Sequence, residues 1–281
     1  MLGMQRTLLL ALALALSLSA ASVDGLAIHS TTTGSGAKTV ILVHGWTCDE
    51  TTWTSQVPEL AKTFRVITLD LPGHGKSGMP KQFSMDLFAR AIEAVRAEAR
   101  ADRVVLAGHS MGTPVVTAYA RMFPQRVAGL VFVDGPVTIG PQNTNGKAAK
   151  GNGKGVPQPQ SMAGPEGRAN REQMIHGMFS ASTTQAMQTK ILNMMLAPPE
   201  ATAVGAMAAT FDPANWKEDT LAMPILAINA PNSFATNRAY MSAHFPSHEF
   251  AEIAGTGHFL MLEKPEEFNR LLLGFLNKVK Y

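Results

Sequence analysis

The stretch Arg103 to Met122, RVVLAGHSMGTPVVTAYARM, decides the fold. It begins with apolar, β-branched residues typical of a buried strand, and from Thr113 its apolar residues follow a helical spacing. Between the two halves lies Gly108-His109-Ser110-Met111-Gly112, with glycines two residues before and two residues after the serine. A tight turn from a strand into a helix requires such glycines. The stretch therefore predicts that Ser110 is exposed at the carboxyl edge of a sheet.

On both sides of this turn, short β-branched runs alternate with helical stretches. This order is typical of βαβ units and a parallel sheet, and several runs are apolar throughout, as in strands covered by helices on both faces. The sequence therefore predicts an α/β fold with a mostly parallel central sheet and helices on both faces. The predicted strands are Thr39 to His44, Arg65 to Asp70, Arg103 to Gly108, Val127 to Val133, Pro224 to Asn229 and His248 to Ile253, and the predicted helices are Ser84 to Ala101, Thr113 to Met122 and Pro265 to Lys278.

One connection is far longer than a plain crossover needs. It follows Val133 and predicts an insertion at about 136–215. Its first part, Gly140 to Gly167, is rich in Gly, Asn, Gln, Pro and Lys and predicts a mobile surface segment. Its second part, Arg168 to Met207, has methionines at helical intervals and predicts a small helical cap. These methionines indicate packing of the cap on the core, and their flexible thioethers also suit a pliable apolar pocket.

The amino-terminal residues predict a cleaved secretory signal. Met1 to Arg6 carry one positive charge, Thr7 to Leu18 are dominated by Leu and Ala, and Ser19-Ala20-Ala21 offers small residues for cleavage after Ala21. We expect a signal peptide at 1–21, a mature domain at 22–281 and a secreted or periplasmic location. A membrane span needs roughly 20 apolar residues, so this shorter stretch predicts no stable membrane anchor.

Composition excludes several classes of protein. With 46% hydrophobic and 16% charged residues among 281, the chain can bury a substantial core. The 24 Lys and Arg nearly balance the 21 Asp and Glu without a long basic run, so we expect no nucleic-acid partner. The single cysteine, Cys48, cannot form an internal disulfide, and without a basic neighbour it indicates inert packing. Metal-ligand spacings such as His-Glu-x-x-His are absent, and no cofactor is expected.

Four motifs in a fixed order carry a family resemblance. They are His44-Gly45-Trp46, Asp70-Leu71-Pro72-Gly73-His74-Gly75-Lys76-Ser77, Gly108 to Gly112, and Gly255-Thr256-Gly257-His258-Phe259. Through them the chain resembles the α/β-hydrolase fold family, in the serine esterase and lipase branch that carries a cap, over nearly its whole mature length. The resemblance implies a serine hydrolase that cleaves small-molecule carboxylic esters without a metal or an organic cofactor.

The resemblance also implies roles for individual residues. Ser110 is the expected nucleophile and needs an imidazole within hydrogen-bond reach, and His258 stands after the last strand, where the family places this base. The backbone N–H groups of Trp46 and Met111 correspond to the family's oxyanion donors. Ser110 argues against a dehalogenase or an epoxide hydrolase, which would use an aspartate nucleophile on this fold.

The third member of the triad departs from the family pattern. The usual acid follows the strand that ends here at Asn229, but 230–247 contains neither Asp nor Glu, and counting places the position at Ser233, beside Asn232. In a minority of related enzymes the acid instead follows the strand before the cap, where this chain has Asp134.

We therefore assign the acid to Asp134. An amide from Asn232 that orients His258 is one open alternative, and a cap acid such as Asp212 or Asp219 is another.

The bond that is cleaved stays open within the serine branch. Thioester, lactone and carbon–carbon bond hydrolysis use the same constellation, and a non-catalytic homologue that only binds a ligand is a competing class. The methionine-rich cap predicts a preference for uncharged, largely apolar esters of small to medium size. Arg168 and Arg171, at the start of the cap, are expected to be solvated rather than to face a substrate.

Overall fold

The structure, a computed structural model, describes residues 21–137, 159–231, 233 and 238–281. Most of the predicted signal peptide, most of the segment Gly140 to Gly167 and the alternative residue Asn232 lie outside the described residues. The described residues include all four motifs that indicated the family.

The elements follow one another in the predicted α/β order. The strands are β1 (Ser22–Val23), β2 (Leu26–Ala27), β3 (Ser30–Thr33), β4 (Thr39–Val43), β5 (Arg65–Leu69), β6 (Val104–His109), β7 (Val127–Val133), β8 (Ile225–Asn229) and β9 (His248–Glu252). The α-helices are α1 (Val57–Leu60), α2 (Met85–Glu98), α3 (Gly112–Met122), α4 (Gly167–His176), α5 (Gln185–Leu196), α6 (Glu200–Thr210), α7 (Arg238–His244), α8 (Leu260–Glu263) and α9 (Pro265–Lys278).

A seven-stranded sheet in the order β3-β5-β4-β6-β7-β8-β9 forms the centre of the fold. Its strands are parallel except for the β3–β5 pair at one edge, which confirms the α/β class with a mostly parallel sheet. The register pairs Val43 with Gly108, and His109 with Val133. The residues that follow β4, β6 and β7 therefore emerge side by side at one edge of the sheet.

All six predicted strands are present, and their ends differ from the prediction by at most one residue. Their apolar runs explain this agreement, since every residue of β4, β6 and β7 is buried. Strand β3 was missed because its sequence, STTT, is polar and partly exposed. It pairs antiparallel with β5 at the sheet edge, where one face needs no apolar cover.

In the described part of the chain between β7 and β8 lie the α-helices α4 to α6, and we call residues 159–215 the cap. Hydrogen bonds of oxygen and nitrogen atoms join its α6 to the core. The Thr202 hydroxyl donates to the Gly73 carbonyl at 2.7 Å, and the Trp46 indole N–H donates to the Ala203 carbonyl at 2.8 Å. Met162, Met195 and Met207 are buried, as expected for packing of cap on core.

One expectation about the cap is wrong. Arg171 is buried, with only 7% of its surface exposed, and its guanidinium donates to the Met162 carbonyl at 2.9 Å. Its position beside the Gly-rich segment predicted a solvated side chain, but the guanidinium fixes the chain before α4 to that helix. Arg168 is exposed, as expected.

The first described residues belong to the folded body. Ala21 is buried, its N–H donates to the Glu98 carboxylate at 3.1 Å, and its carbonyl accepts from the Ile28 N–H at 2.8 Å. Among the described residues, no helix has both the length and the apolar composition that a bilayer span requires.

Candidate active site

Ser110 occupies a sharp turn between β6 and α3. Its φ of +53° lies in the left-handed region, which costs a non-glycine residue about 1 to 3 kcal/mol and persists only where the surroundings enforce it. The Ser110 N–H donates to the Val133 carbonyl at 2.9 Å, which ties the turn to β7. A Cβ on Gly108 would lie 2.2 Å from the Gly112 carbonyl oxygen, so the turn closes only with glycine there.

Three side chains predicted for the triad form one continuous hydrogen-bonded chain. The Ser110 Oγ lies 2.8 Å from the Nε2 of His258, and the Nδ1 of His258 lies 2.7 Å from the Oδ2 of Asp134. They come from the end of β6, the end of β7 and the loop after β9. Topology therefore brings together residues that are distant in sequence at the carboxyl edge of the sheet.

Asp134 is held as a buried carboxylate. Burial raises its pKa, but hydrogen bonds from His258, from the Ser233 hydroxyl and from the Ala230 N–H outweigh this effect, so the pKa of Asp134 lies below its ordinary value. The Ala230 N–H donates to Oδ1 at 3.0 Å, while Oδ2 faces His258. An ionised acceptor at Nδ1 favours the imidazole tautomer whose Nε2 is free to take the Ser110 proton.

The alternative acids lie in other contacts. Asp212 caps the short helix Pro213–Asn215 by accepting from the Ala214 N–H at 2.9 Å. Asp219 forms an ion pair with Arg121 at 2.6 Å. Neither carboxylate accepts the His258 hydrogen bond that Asp134 takes.

The loop His44-Gly45-Trp46 passes directly beside Ser110. A Cβ on Gly45 would lie 3.0 Å from the Cβ of Ser110. His44 fixes this loop, because its Nδ1–H donates to the Gly45 carbonyl at 2.8 Å and its Nε2 accepts from the Leu71 N–H at 3.0 Å. Burial lowers the pKa of His44, so the ring is neutral and can make both contacts.

The two N–H groups expected to bind an oxyanion belong to this loop and to the nucleophile turn. Among the described residues, the backbone N–H groups of Trp46 and Met111 donate no hydrogen bond to the protein. Met111 directly precedes α3, so the positive end of that helix lies beside Ser110. The arrangement can therefore stabilise negative charge on an acyl oxygen bound at Ser110.

His109, the residue before Ser110, contacts the loop that carries His258. Its Nε2–H donates to the His258 carbonyl at 2.9 Å, and the two rings lie 4.8 Å apart. Burial lowers the pKa of His109 to about 3, so it adds no positive charge beside His258. Only its place next to Ser110 in the motif could have drawn attention to this contact.

Cys48 is buried, and burial raises the pKa of its thiol to about 12, in agreement with an inert packing role.

One group of described side chains has a spacing that could hold a cation, namely His29, Glu50 and Asp70. The Lys76 ammonium lies 3.3 Å from the Nε2 of His29 and 3.4 Å from the Oε1 of Glu50. Since the Lys76 ammonium already supplies a positive charge beside His29 and Glu50, we assign no metal ion to these three side chains.

Comparison with known proteins identifies the family. The family model for the alpha/beta hydrolase fold matches residues 38–265. A pimeloyl-[acyl-carrier protein] methyl ester esterase of Edwardsiella ictaluri is 39% identical over 102 residues, which span 36% of this chain and only 38% of that protein. A 2-hydroxy-6-oxononadienedioate/2-hydroxy-6-oxononatrienedioate hydrolase of Paraburkholderia phymatum is 28% identical over 274 residues, covering 90% of this chain and 92% of that protein.

A solved structure agrees with these sequence matches. A thermophilic esterase from Thermogutta terrifontis superposes with a TM-score of 0.78 and 25% identity, covering 92% of this chain and 96% of that one. The family match includes β4 to β9 and all four motifs. This chain therefore belongs to the α/β-hydrolase fold family.

Proposed function

We propose that this α/β hydrolase is a secreted or periplasmic serine hydrolase that cleaves carboxylic esters through an acyl-enzyme. The observation that carries the proposal is the continuous contact from Ser110 Oγ to His258 Nε2, 2.8 Å, and from His258 Nδ1 to Asp134, 2.7 Å. A serine hydroxyl is a weak nucleophile unless an adjacent base takes its proton, and this contact supplies such a base.

In the first half of the reaction, Ser110 Oγ attacks the acyl carbon while His258 Nε2 takes the hydroxyl proton. Negative charge then develops on the acyl oxygen, and the N–H groups of Trp46 and Met111 stabilise it. Asp134 offsets the positive charge of the imidazolium that forms. When the C–O bond to the alcohol breaks, His258 gives the proton to the departing alkoxide.

In the second half, His258 takes a proton from water as the water oxygen attacks the acyl carbon of the Ser110 ester. The same N–H groups stabilise the second tetrahedral intermediate. Collapse of this intermediate returns the proton to Ser110 Oγ and releases the carboxylic acid. The products are one alcohol and one acid, and neither half-reaction calls for a group beyond these residues and water.

The cap favours uncharged, largely apolar acyl groups of small to medium size. Its partly buried methionines, Met174, Met178, Met187 and Met194, pack against the core, and Arg171 is already bound to the Met162 carbonyl. The other charged side chains of the described cap are exposed. An apolar pocket gains about 0.8 kcal/mol for each CH₂ that it buries, whereas a charged acyl group would lose hydration without a partner.

The test is a kcat/KM profile over neutral p-nitrophenyl esters of graded acyl length and one matched ester that carries a carboxylate. We expect the neutral esters to react faster, and the Ser110→Ala variant to lose nearly all turnover. A clear preference for the anionic ester would contradict the proposed substrate class. Thioesters and lactones belong in the same panel, because the same three residues can attack them.

Carbon–carbon bond hydrolysis is a second candidate, which the match over 90% of this chain to the Paraburkholderia phymatum hydrolase favours. The substrate in that protein's name is a dicarboxylate and would require cationic partners in the pocket. Incubation with 2-hydroxy-6-oxononadienedioate decides between the two classes. Turnover faster than that of every ester would replace the ester proposal.

A further inference from the structure

Residues 253–259, between β9 and α8, form the His258 loop, and this loop is hydrogen-bonded to the cap at two points. The His258 backbone N–H donates to the Met178 carbonyl at 3.0 Å, and the Ser182 hydroxyl donates to the Gly255 carbonyl at 2.6 Å. Met178 and Ser182 lie in the connection between α4 and α5, and we call residues 178–183 the docking segment. The imidazole that faces Ser110 thus belongs to a loop whose main chain is fixed by the cap.

Glu263, the last residue of α8, joins the same two parts through its side chain. Its Oε2 accepts from the Gly257 N–H at 2.7 Å and from the Ser180 hydroxyl at 2.7 Å. Its Oε1 accepts from the Thr183 hydroxyl at 3.0 Å. One partly buried carboxylate therefore receives one donor from the His258 loop and two donors from the docking segment.

The docking segment is itself ordered around these contacts. The Ser180 N–H donates to the Thr183 hydroxyl at 2.8 Å, and the Ser182 N–H donates to the Ser180 hydroxyl at 3.0 Å. Each of the two hydroxyls thus accepts a hydrogen bond from a backbone N–H and donates one to Glu263. Hydrogen bonds to a carboxylate are about twice as strong as those between neutral groups, so the orientation of the segment depends on Glu263.

We propose that Glu263 is a positioning residue, which holds the His258 loop and the docking segment as one hydrogen-bonded unit and so keeps the His258 imidazole in reach of Ser110. The inference rests on the proposed function, because a position for His258 matters only if His258 transfers a proton. Misplacement of a reacting group by about 1 Å can cost about 10²-fold in rate, so loss of this unit should affect kcat. Docking of the cap and placement of the base are then coupled.

Three variants separate the positioning of His258 from a merely structural role of Glu263. They are Glu263→Ala, Glu263→Gln and Glu266→Ala. Glu266 is an exposed glutamate three positions further on and serves as the matched control. For Glu263→Ala we expect kcat for a neutral p-nitrophenyl ester to fall by about tenfold or more, with a much smaller change in KM. The rate of fluorophosphonate labelling at Ser110 should fall in parallel, because labelling also needs the base.

Glu263→Gln should restore most of the rate. Its amide oxygen can accept from the Gly257 N–H, and its amide N–H can donate to the Thr183 hydroxyl. Glu266→Ala should behave as the unsubstituted protein. A folded Glu263→Ala protein whose kcat and labelling rate stay within about twofold would overturn the proposal, and so would a Glu263→Gln protein as slow as Glu263→Ala.

A double variant, Ser180→Ala with Thr183→Val, removes the two hydroxyls by which the docking segment binds Glu263. It tests the positioning role of Glu263 even if Glu263→Ala does not fold. We expect the double variant to lower kcat when Glu263 is present. In the Glu263→Ala protein it should lower kcat little further, since both sets of substitutions break the same hydrogen-bonded unit. If the double variant leaves kcat unchanged, or if its effect on kcat adds to that of Glu263→Ala, the docking segment and the His258 loop are not coupled through Glu263.

Failure of the proposed ester hydrolysis gives a different result from failure of the inference about Glu263. In that case the unsubstituted protein neither hydrolyses the ester nor labels at Ser110, and the inference about Glu263 is overturned with it. A reactive unsubstituted protein with an equally reactive Glu263→Ala variant removes the inference about Glu263 alone.

Discussion

The Ser233 hydroxyl donates a hydrogen bond to the Asp134 carboxylate across the adjacent ends of β8 and β7. The two strands are paired in register at Val133 and Ile228, and the Asp134 N–H donates to the Ile228 carbonyl at 3.0 Å. Ser233 is the position where counting from the strand places the family's usual acid. We propose that in this chain the acid is Asp134, one strand away, and that the Ser233 hydroxyl supports its carboxylate.

Asp134→Asn should lower kcat severely. An amide can stabilise the wrong imidazole tautomer and cannot offset the imidazolium charge, and the equivalent change in a serine protease costs about 10⁴ in kcat. The measurement is kcat for a neutral ester at neutral pH, with circular dichroism as the control for folding. A mild effect of Asp134→Asn together with a crippling effect of Asn232→Ala would reverse the assignment.

Ser233→Asp should partly rescue the Asp134→Asn protein. The two positions lie side by side at the sheet edge, so a carboxylate at 233 can approach the His258 imidazole from the position usual in the family. We expect the double variant to exceed the kcat of Asp134→Asn alone by about tenfold or more, since it restores a charged partner for the imidazolium. The matched control is Ser233→Asn in the same background, which adds no charge. Equal rates for the two double variants would show that a carboxylate at 233 cannot serve His258.

His74 should make the fold sensitive to mild acid. Burial, together with the His44 ring 5.0 Å away, lowers the pKa of His74 to about 3, and its Nδ1–H donates to the Pro72 carbonyl at 3.0 Å. The unfolded chain, with an ordinary pKa of about 6.5, binds the proton first, so stability falls as the pH drops from about 6.5 towards 3.

The matched variant is His74→Asn, whose amide N–H can keep the bond to Pro72 but does not titrate. Between pH 7 and pH 5 the contribution of one such histidine is about 2 kcal/mol, so the variant should lose less stability on acidification by up to that amount. Urea unfolding at the two pH values measures the difference. Equal losses for both proteins would show that His74 is not held neutral.

We expect the exported protein to begin within a few residues of Ser22. Cleavage after Ala21 would remove the buried residue whose N–H donates to Glu98 and whose carbonyl accepts from Ile28. Cleavage after Ser19 also has small residues at the required positions, Ser17 and Ser19, and keeps both contacts, so we propose Ala20 as a second candidate for the first residue beside Ser22. Intact mass of the secreted protein distinguishes the two starts, and a mature species that retains Thr7 to Leu18 would contradict export by a cleaved signal.

The fold, and the contact of Ser110 with His258 and of His258 with Asp134, could be predicted from features that are visible in the sequence. Buried strands of a parallel sheet are apolar runs, and the turn at Ser110 demands glycines at fixed offsets. The order of the motifs placed His258 at the same sheet edge as Ser110, and the lack of an acid in 230–247 directed the choice to Asp134, at the end of the strand before the cap. Strand β3 escaped prediction, since an edge strand with polar residues lacks the apolar pattern.

The contacts that support the site could not be predicted in the same way. Glu263 and Ser180 meet only because the cap folds back on the loop after β9, and no local pattern encodes that approach. Arg171 was misjudged for a similar reason, because its buried bond to the Met162 carbonyl depends on the packing of the cap. Pairwise contacts between an insertion and its core follow from tertiary structure rather than from the periodicity of either segment.

The most direct test of the central claim is intact-mass and peptide analysis of the protein after reaction with a fluorescent phosphonate. We expect one covalent adduct per chain, located on Ser110, and none in Ser110→Ala or His258→Ala proteins that remain folded. An unmodified but folded protein would indicate a binding homologue without turnover. An adduct that persists in Ser110→Ala would contradict the assignment of Ser110 as the nucleophile.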